Sequence, residues 1–243
     1  MSKKNNVNDK LVDIYNNSER TENNLGRKYK NLGEEVYEII KKKIVCHEFK
    51  PGERVIDKHI AEELGVSRSL VRQAFNILEK QELLVQVPRS GFFVREITKK
   101  DVKEIYDVRK LLETEATRLA VPRLQDEDIQ KTEEIFKQAE EELKVGIVKK
   151  TIKADAKLHD MIHNNCGNQR LTKMIKKYSN QYIFYRIIDL SHIERAREAY
   201  QEHFEIFKTV KKRDLKKATQ LMNEHIEHAK EIILSNFDTY TFG

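Results

Sequence analysis

Asp155 and His159 stand four residues apart in KADAKLHD, so a helix carrying them sends a carboxylate and an imidazole to the same point. His203 and His225 flank a turn signalled at Arg213-Asp214. Antiparallel packing of the two helices joined there brings these imidazoles to similar height. Three nitrogen donors and one oxygen donor suit a divalent ion of borderline softness, zinc foremost, with nickel, manganese or iron also suited. Such a set leaves coordination positions for water or a ligand oxygen. Eight histidines scattered through a polar chain are, however, more often surface or hydrogen-bonded groups, and spacing alone leaves both readings open. His163, one turn beyond His159, is read as a supporting or surface group, and no role is read for His192 or His228.

A second chemistry lies in Asp57 to Leu84, DKHIAEELGVSRSLVRQAFNILEKQELL. Ile56, Ile60 and Leu64 give a first short helix one apolar stripe, and Gly65 supplies a left-handed stop. Ser67 can cap the next helix, whose inner side is Val71, Ala74, Phe75 and Leu78. Arg68, Ser69, Arg72, Gln73 and Asn76 then share its outer side. Arginine can grip guanine bidentately, asparagine and glutamine can pair with adenine, and Ser67 with the helix N-terminus can hold a phosphate. An ordinary solvated helical hairpin fits the same pattern, so the pair alone does not decide.

The flanking segments must position these groups. Val36, Ile39, Ile40 and Ile44 predict a helix from Gly33, broken at Pro51-Gly52. After Leu83 the period turns to alternation, LLVQV, then Pro88-Arg89-Ser90-Gly91, then FFVRE, which predicts a β-hairpin with Arg89 at its exposed tip. A hairpin directly after a helix-turn-helix is what a winged helix requires. From Thr98 onward only helical periodicity remains, in about six helices at 98–121, 126–145, 149–165, 168–190, 193–212 and 214–237. The expected fold is mainly α: a winged helix-turn-helix at 31–97 and an antiparallel helical bundle at 98–243, behind a tail at 1–30 too polar to order itself. Within the bundle, Ile105, Val108, Leu112 and Ala116, and Ile183, Phe184 and Ile187, read as core.

Composition agrees. Hydrophobic residues at 39% with only 3 prolines and 8 glycines in 243 residues favour long helices over strands and turns. The net charge of +6 does not identify a partner, because residues 1–26, 27–97 and 98–243 carry 0, +3 and +3. No run approaches the roughly 18 apolar residues of a membrane helix, and MSKKNNVNDK lacks a signal peptide's apolar stretch, so a cytoplasmic protein is expected, with no membrane partner. Cys46 and Cys166 have no CxxC spacing and read as reduced structural thiols.

Residues 33–97 resemble the winged-helix domain of the GntR family of bacterial transcription regulators. PGERV at Pro51–Val55, IAEELGVSRSLVRQAF at Ile60–Phe75, LEKQELLV at Leu78–Val85 and SGFFV at Ser90–Val94 carry the likeness, in order. The resemblance implies that Arg68 and Arg72 are the principal DNA contacts, with Lys58, Arg89 and Gly91 as further ones. Two positions depart from the pattern. Ser69-Leu70 replaces the usual Thr-Pro, and Glu82 replaces a glycine ahead of the wing. The second domain is similar to the FCD ligand-binding domain of the family's FadR branch, in which D-x3-H and one histidine from each of the last two helices hold a metal. Asp155, His159, His203 and His225 match that pattern. Arg109, in YDVRKLLETEA, matches an arginine of the first bundle helix. It either lines the cavity or pairs with Glu113 or Asp107, and Asn164, Asn168 and Arg186 are further candidates for the cavity wall.

The function expected from all this is a homodimeric transcription regulator, a repressor, reading a two-fold symmetric operator in double-stranded DNA. A small carboxylic acid bound at or near a metal in the bundle is the expected control. A metal-blind regulator whose histidines touch the effector directly is the alternative. A metalloenzyme is the rival of another class, but the sequence has no H-E-x-x-H, no Glu three residues before a histidine and no nucleophile motif with a partnered base.

Overall fold

The computed structural model describes the backbone of residues 28–45, 48–189 and 193–238, and leaves aside the side chains of 28–31 and 180–189. The expected tail at 1–30 therefore lies almost wholly outside the described residues. So do Cys46, His192 and the side chains of Ile183, Phe184, Arg186 and Ile187. The chain divides into two compact units and passes from one to the other between Thr98 and Lys99.

The first unit contains α1 (Lys28–Val45), β1 (Arg54–Val55), α2 (Asp57–Leu64), α3 (Arg68–Lys80), β2 (Leu84–Val87) and β3 (Gly91–Val94). Helix α1 starts five residues ahead of the expected Gly33. Its core stripe is Val36, Ile40 and Ile44, while Ile39 is exposed, because four apolar residues spread wider than the single face that meets α3. Ile60 and Ala61 are the buried residues of α2, and Ile56 is exposed, because it is the extended N-cap and not part of the helix. Gly65 ends α2 at φ 66°, and Val66 N–H closes the turn onto Ala61 O at 3.0 Å. Val71, Ala74, Phe75 and Leu78 are fully buried on α3, with the Phe75 ring 5.1 Å from that of Phe92 in the wing.

The wing is a three-stranded antiparallel sheet in the order β1-β3-β2, pairing Arg54 with Phe93 and Leu84 with Val94. The hairpin is the expected one. Strand β1 is an addition that two residues could not announce through any periodicity.

The second unit holds α4 (Lys99–Ala120), a 3-10 turn (Val121–Arg123), α5 (Asp126–Lys144), α6 (Lys149–Asn165), α7 (Gln169–Asp189), α8 (Ile193–Lys211) and α9 (Leu215–Ser235). These six helices follow the expected spans to within a few residues at each end. Helix α4 packs on α9, α7 and α6, and α6 packs in turn on α5 and α8. Phe136 of α5 lies against the rings of Tyr200 and Phe207, at 5.8 and 5.0 Å, and Tyr200 donates its hydroxyl to Phe136 O at 3.2 Å. Ile105 and Ala116 of α4 are buried, but Val108 of the expected core row is exposed, since an i, i+3 step carries it off the face that meets α9.

Candidate metal centre and nucleic-acid interface

Helix α6 places Asp155, His159 and His163 on its inner face, and all three are buried. His203 enters from α8 and His225 from α9, both buried, with ring centroids 4.3 Å apart. The rings of His203 and His225 lie 5.4 and 5.9 Å from that of His159. Asp155 Oδ1 is 2.8 Å from His203 Nε2 and 3.4 Å from His159 Nε2. The structure therefore brings together the four residues that the spacing singled out.

Two further carboxylates decide what this cluster can do. Glu113 of α4, buried, accepts from His159 Nδ1 and, at 3.1 Å, from His163 Nε2. Glu202 of α8 accepts from His225 Nδ1 at 2.6 Å and from His228 Nδ1 at 2.8 Å. Each carboxylate fixes the tautomer of one ring and leaves its Nε2 as a lone-pair donor, the arrangement found behind metal-binding histidines. Burial works to raise the Glu113 pKa, but His159, Arg109 and His163 outweigh it and hold the carboxyl well below its ordinary value. Burial likewise opposes ionisation of Glu202, and the bond and charge of His225, with Arg195 and His203, bring it down to about 2. Burial and the neighbouring His203 lower His225 to about 3 despite Glu202, so at neutral pH the ring is uncharged and able to donate a lone pair.

Neither ring nitrogen of His203 makes a hydrogen bond, although Nε2 stands 2.8 Å from the Asp155 carboxylate. Two donors each about 2.1 Å from one ion lie about 3.0 to 3.4 Å apart, which is close to the separations seen around Asp155. The residues present therefore fit a divalent ion. Glu113, His159 and His163 also stand close enough to bind one. There, however, Arg109 Nε lies 2.8 Å from Glu113 Oε1, and a buried guanidinium repels a second cation, so this trio is a hydrogen-bonded brace.

Of the candidates for the cavity wall, Arg109 is buried between Glu113 and the ring of Tyr106, 5.3 Å from its guanidinium. Asp107, its alternative partner, pairs instead with Lys230 at 2.8 Å. Asn164 is on the exposed side of α6. Asn168 accepts from the amides of Arg170 and Leu171, both at 3.1 Å, and so caps α7. Glu202 escaped the sequence reading, which looked for ligands and not for their supports. Its place directly before His203 was the available signal.

In the first unit Ser67 caps α3, accepting from Leu70 N at 3.3 Å. That bond exists because Leu70 has replaced proline, which has no N–H. Glu82, standing where the family pattern has glycine, adopts φ 61° and pairs with Arg95. Arg68, Ser69, Arg72, Gln73 and Asn76 are all exposed on the outer side of α3, as expected, and Lys58 is exposed on α2. Arg89 occupies the wing turn at φ 64° and is exposed, with Gly91 at φ 102° beside it. Between α3 and the wing runs a cleft of about 250 Å³ whose lining includes Arg54, Arg68, Arg72 and Arg89. Arg54, on the strand that no periodicity announced, is the basic group missed.

Residues 32–94 match the bacterial regulatory proteins of the gntR family, and residues 104–228 match the FCD domain. An uncharacterised HTH-type transcriptional regulator of Bacillus subtilis, YdhC, is 33% identical over 79% of this chain and 86% of its own length. The Nta operon transcriptional regulator of Aminobacter aminovorans is 28% identical over 78% of this chain and 89% of its own. Among solved structures, Escherichia coli McbR/YncC shares the fold with a TM-score of 0.72 at 23% identity, covering 85% of this chain and 98% of that one.

Proposed function

Because the chain belongs to the GntR family of bacterial regulatory proteins, a transcriptional regulator with an FCD domain and not an enzyme, we propose that it is a homodimeric repressor. In this reading Asp155, His159, His203 and His225 of the FCD domain hold a divalent metal, and a small carboxylic acid bound there controls operator binding. The observation that carries it is the pair of carboxylates, buried Glu113 and half-buried Glu202, that accept from Nδ1 of His159 and His225, whose rings gather with that of His203 beside Asp155. When bound, the ion supplies positive charge and coordination positions that a carboxylate can fill.

The protein's own residues do the rest. Asp155 supplies the anionic ligand, the two braced histidines need no reorientation, and Arg109 balances the charge of Glu113. DNA is read by Arg68, Arg72, Gln73 and Asn76 in the major groove, with Lys58, Ser67, Ser69, Arg89 and Gly91 holding backbone or minor groove. Two such units per dimer would read a two-fold symmetric operator. An acid that binds one arrangement of the dimer better than the other shifts operator occupancy by that difference.

Metal analysis of the purified protein tests the site. About one equivalent of zinc, nickel, manganese or iron per chain is expected, lost in His159→Ala and in His225→Ala. Full occupancy surviving both changes would sink the site. Loss of the metal with unchanged response to carboxylic acids in a thermal-shift series would instead favour direct effector contact by the histidines.

A further inference from the structure

Among the described residues, the cleft between α3 and the wing is lined by four arginines, and Asp57 is the one carboxylate with them. Asp57 opens α2 with a side chain only 15% exposed, whereas Arg68 and Arg72 reach solvent at 62% and 56%. Arg68 Nη2 donates to both Asp57 oxygens, at 3.0 and 3.3 Å, and Arg72 Nη1 donates to Oδ2 at 3.5 Å. Each guanidinium is thus held through one nitrogen. The remaining donors of the fork stay available, and a guanine edge needs two of them.

We propose that Asp57 is a positioning and specificity-determining residue of the DNA interface, an acid that tethers Arg68 and Arg72 and discourages them from gripping phosphate indiscriminately. The proposal rests on the reading of α3 as the DNA-contacting helix. Non-specific binding is a matter of phosphate charge, and a carboxylate 3.0 Å from one arginine and 3.5 Å from the other offsets about one of their two charges. Base readout depends instead on the direction of donors, which the tether fixes before DNA arrives. Repulsion of the wrong partner and preorganisation for the right one both widen the gap between operator and bulk DNA. The pairs span 11 and 15 residues of sequence and join two helices of one module, so the arginines cannot be retuned without this acid.

Asp57→Asn keeps shape and removes charge. The probes are the duplex that the wild-type protein itself selects from a random-sequence pool and a shuffled duplex of the same composition, each titrated across a salt series. The variant is expected to bind the shuffled duplex about 3 to 10 times more tightly, with a salt slope steeper by about one, and to lose about tenfold in the ratio of selected to shuffled affinity. Asp57→Glu should restore most of that ratio. A structural role alone would weaken both duplexes equally and leave the salt slope alone, which would overturn the proposal. Loss on the selected duplex with no gain on the shuffled one would overturn it too, by making Asp57 a base-reading group. If the wild type selects no duplex, the DNA-contacting reading itself fails, and the proposal falls with it.

Discussion

Glu113 and Glu202 each hold one face of a histidine, and their value is in the direction they give to the other face. His159 and His225 would otherwise choose freely between two tautomers, only one of which presents a lone pair at Nε2. Replacing Glu202 with glutamine keeps the length but removes the charge that favours donation from His225 Nδ1. Glu202→Gln and Glu113→Gln are each expected to weaken metal binding about 10- to 100-fold with the ligands intact, read by competition with a chromophoric chelator. Wild-type affinity in both variants would show that the carboxylates are bystanders. At this scale the sequence was legible where geometry is local: Asp155 and His159 share a helix face at i and i+4. The convergence of His203 with them depends on how α8 lies against α6, which periodicity does not encode. Glu113 was legible only as a possible partner of Arg109, and Glu202 only through its place before His203, a weak signal among the 40 acidic residues of the chain.

At the scale of elements, punctuation carried most of the information. Gly65, Gly146 and Gly167 all take positive φ at helix ends, and the breaks they mark fall where expected. Gly65 offers a clean test, because a β-carbon there would meet nothing within 4 Å. The only cost of Gly65→Ala is then the left-handed backbone, about 1 to 2 kcal/mol, and urea denaturation of the protein should show a loss of that size for the winged-helix unit. A loss well above it would mean that α2 shifts against α3. Edges and exposures were less legible than spans. Ile39 and Val108 belong to apolar rows yet lie exposed, because a row is wider than the face its neighbour covers, and Ile56 lies exposed because the helix begins after it. Strand β1 was invisible because two residues have no period, and with it Arg54 was lost from the basic cleft.

For the whole molecule, the division at Thr98 and Lys99 separates two cores, so changes confined to one should leave the other's chemistry intact. Arg68→Ala and Arg72→Ala are each expected to cost about 1 to 3 kcal/mol of discrimination between selected and shuffled duplexes while metal content stays at the wild-type level. Unchanged discrimination in both would mean that another face of α3 meets DNA. Supplying metal at about 100 times its dissociation constant should raise the stability of the bundle by about 2.7 kcal/mol, seen as a shift in its thermal transition that a chelator reverses.

The order of the elements along the chain also sets an order in time. A ribosome completes the winged helix by residue 98, before it has added Glu113, Asp155 or His159, and His225 on α9 arrives last of the proposed ligands. The DNA-reading unit precedes the bundle along the chain, so it can fold while the groups that would hold the metal are still being added.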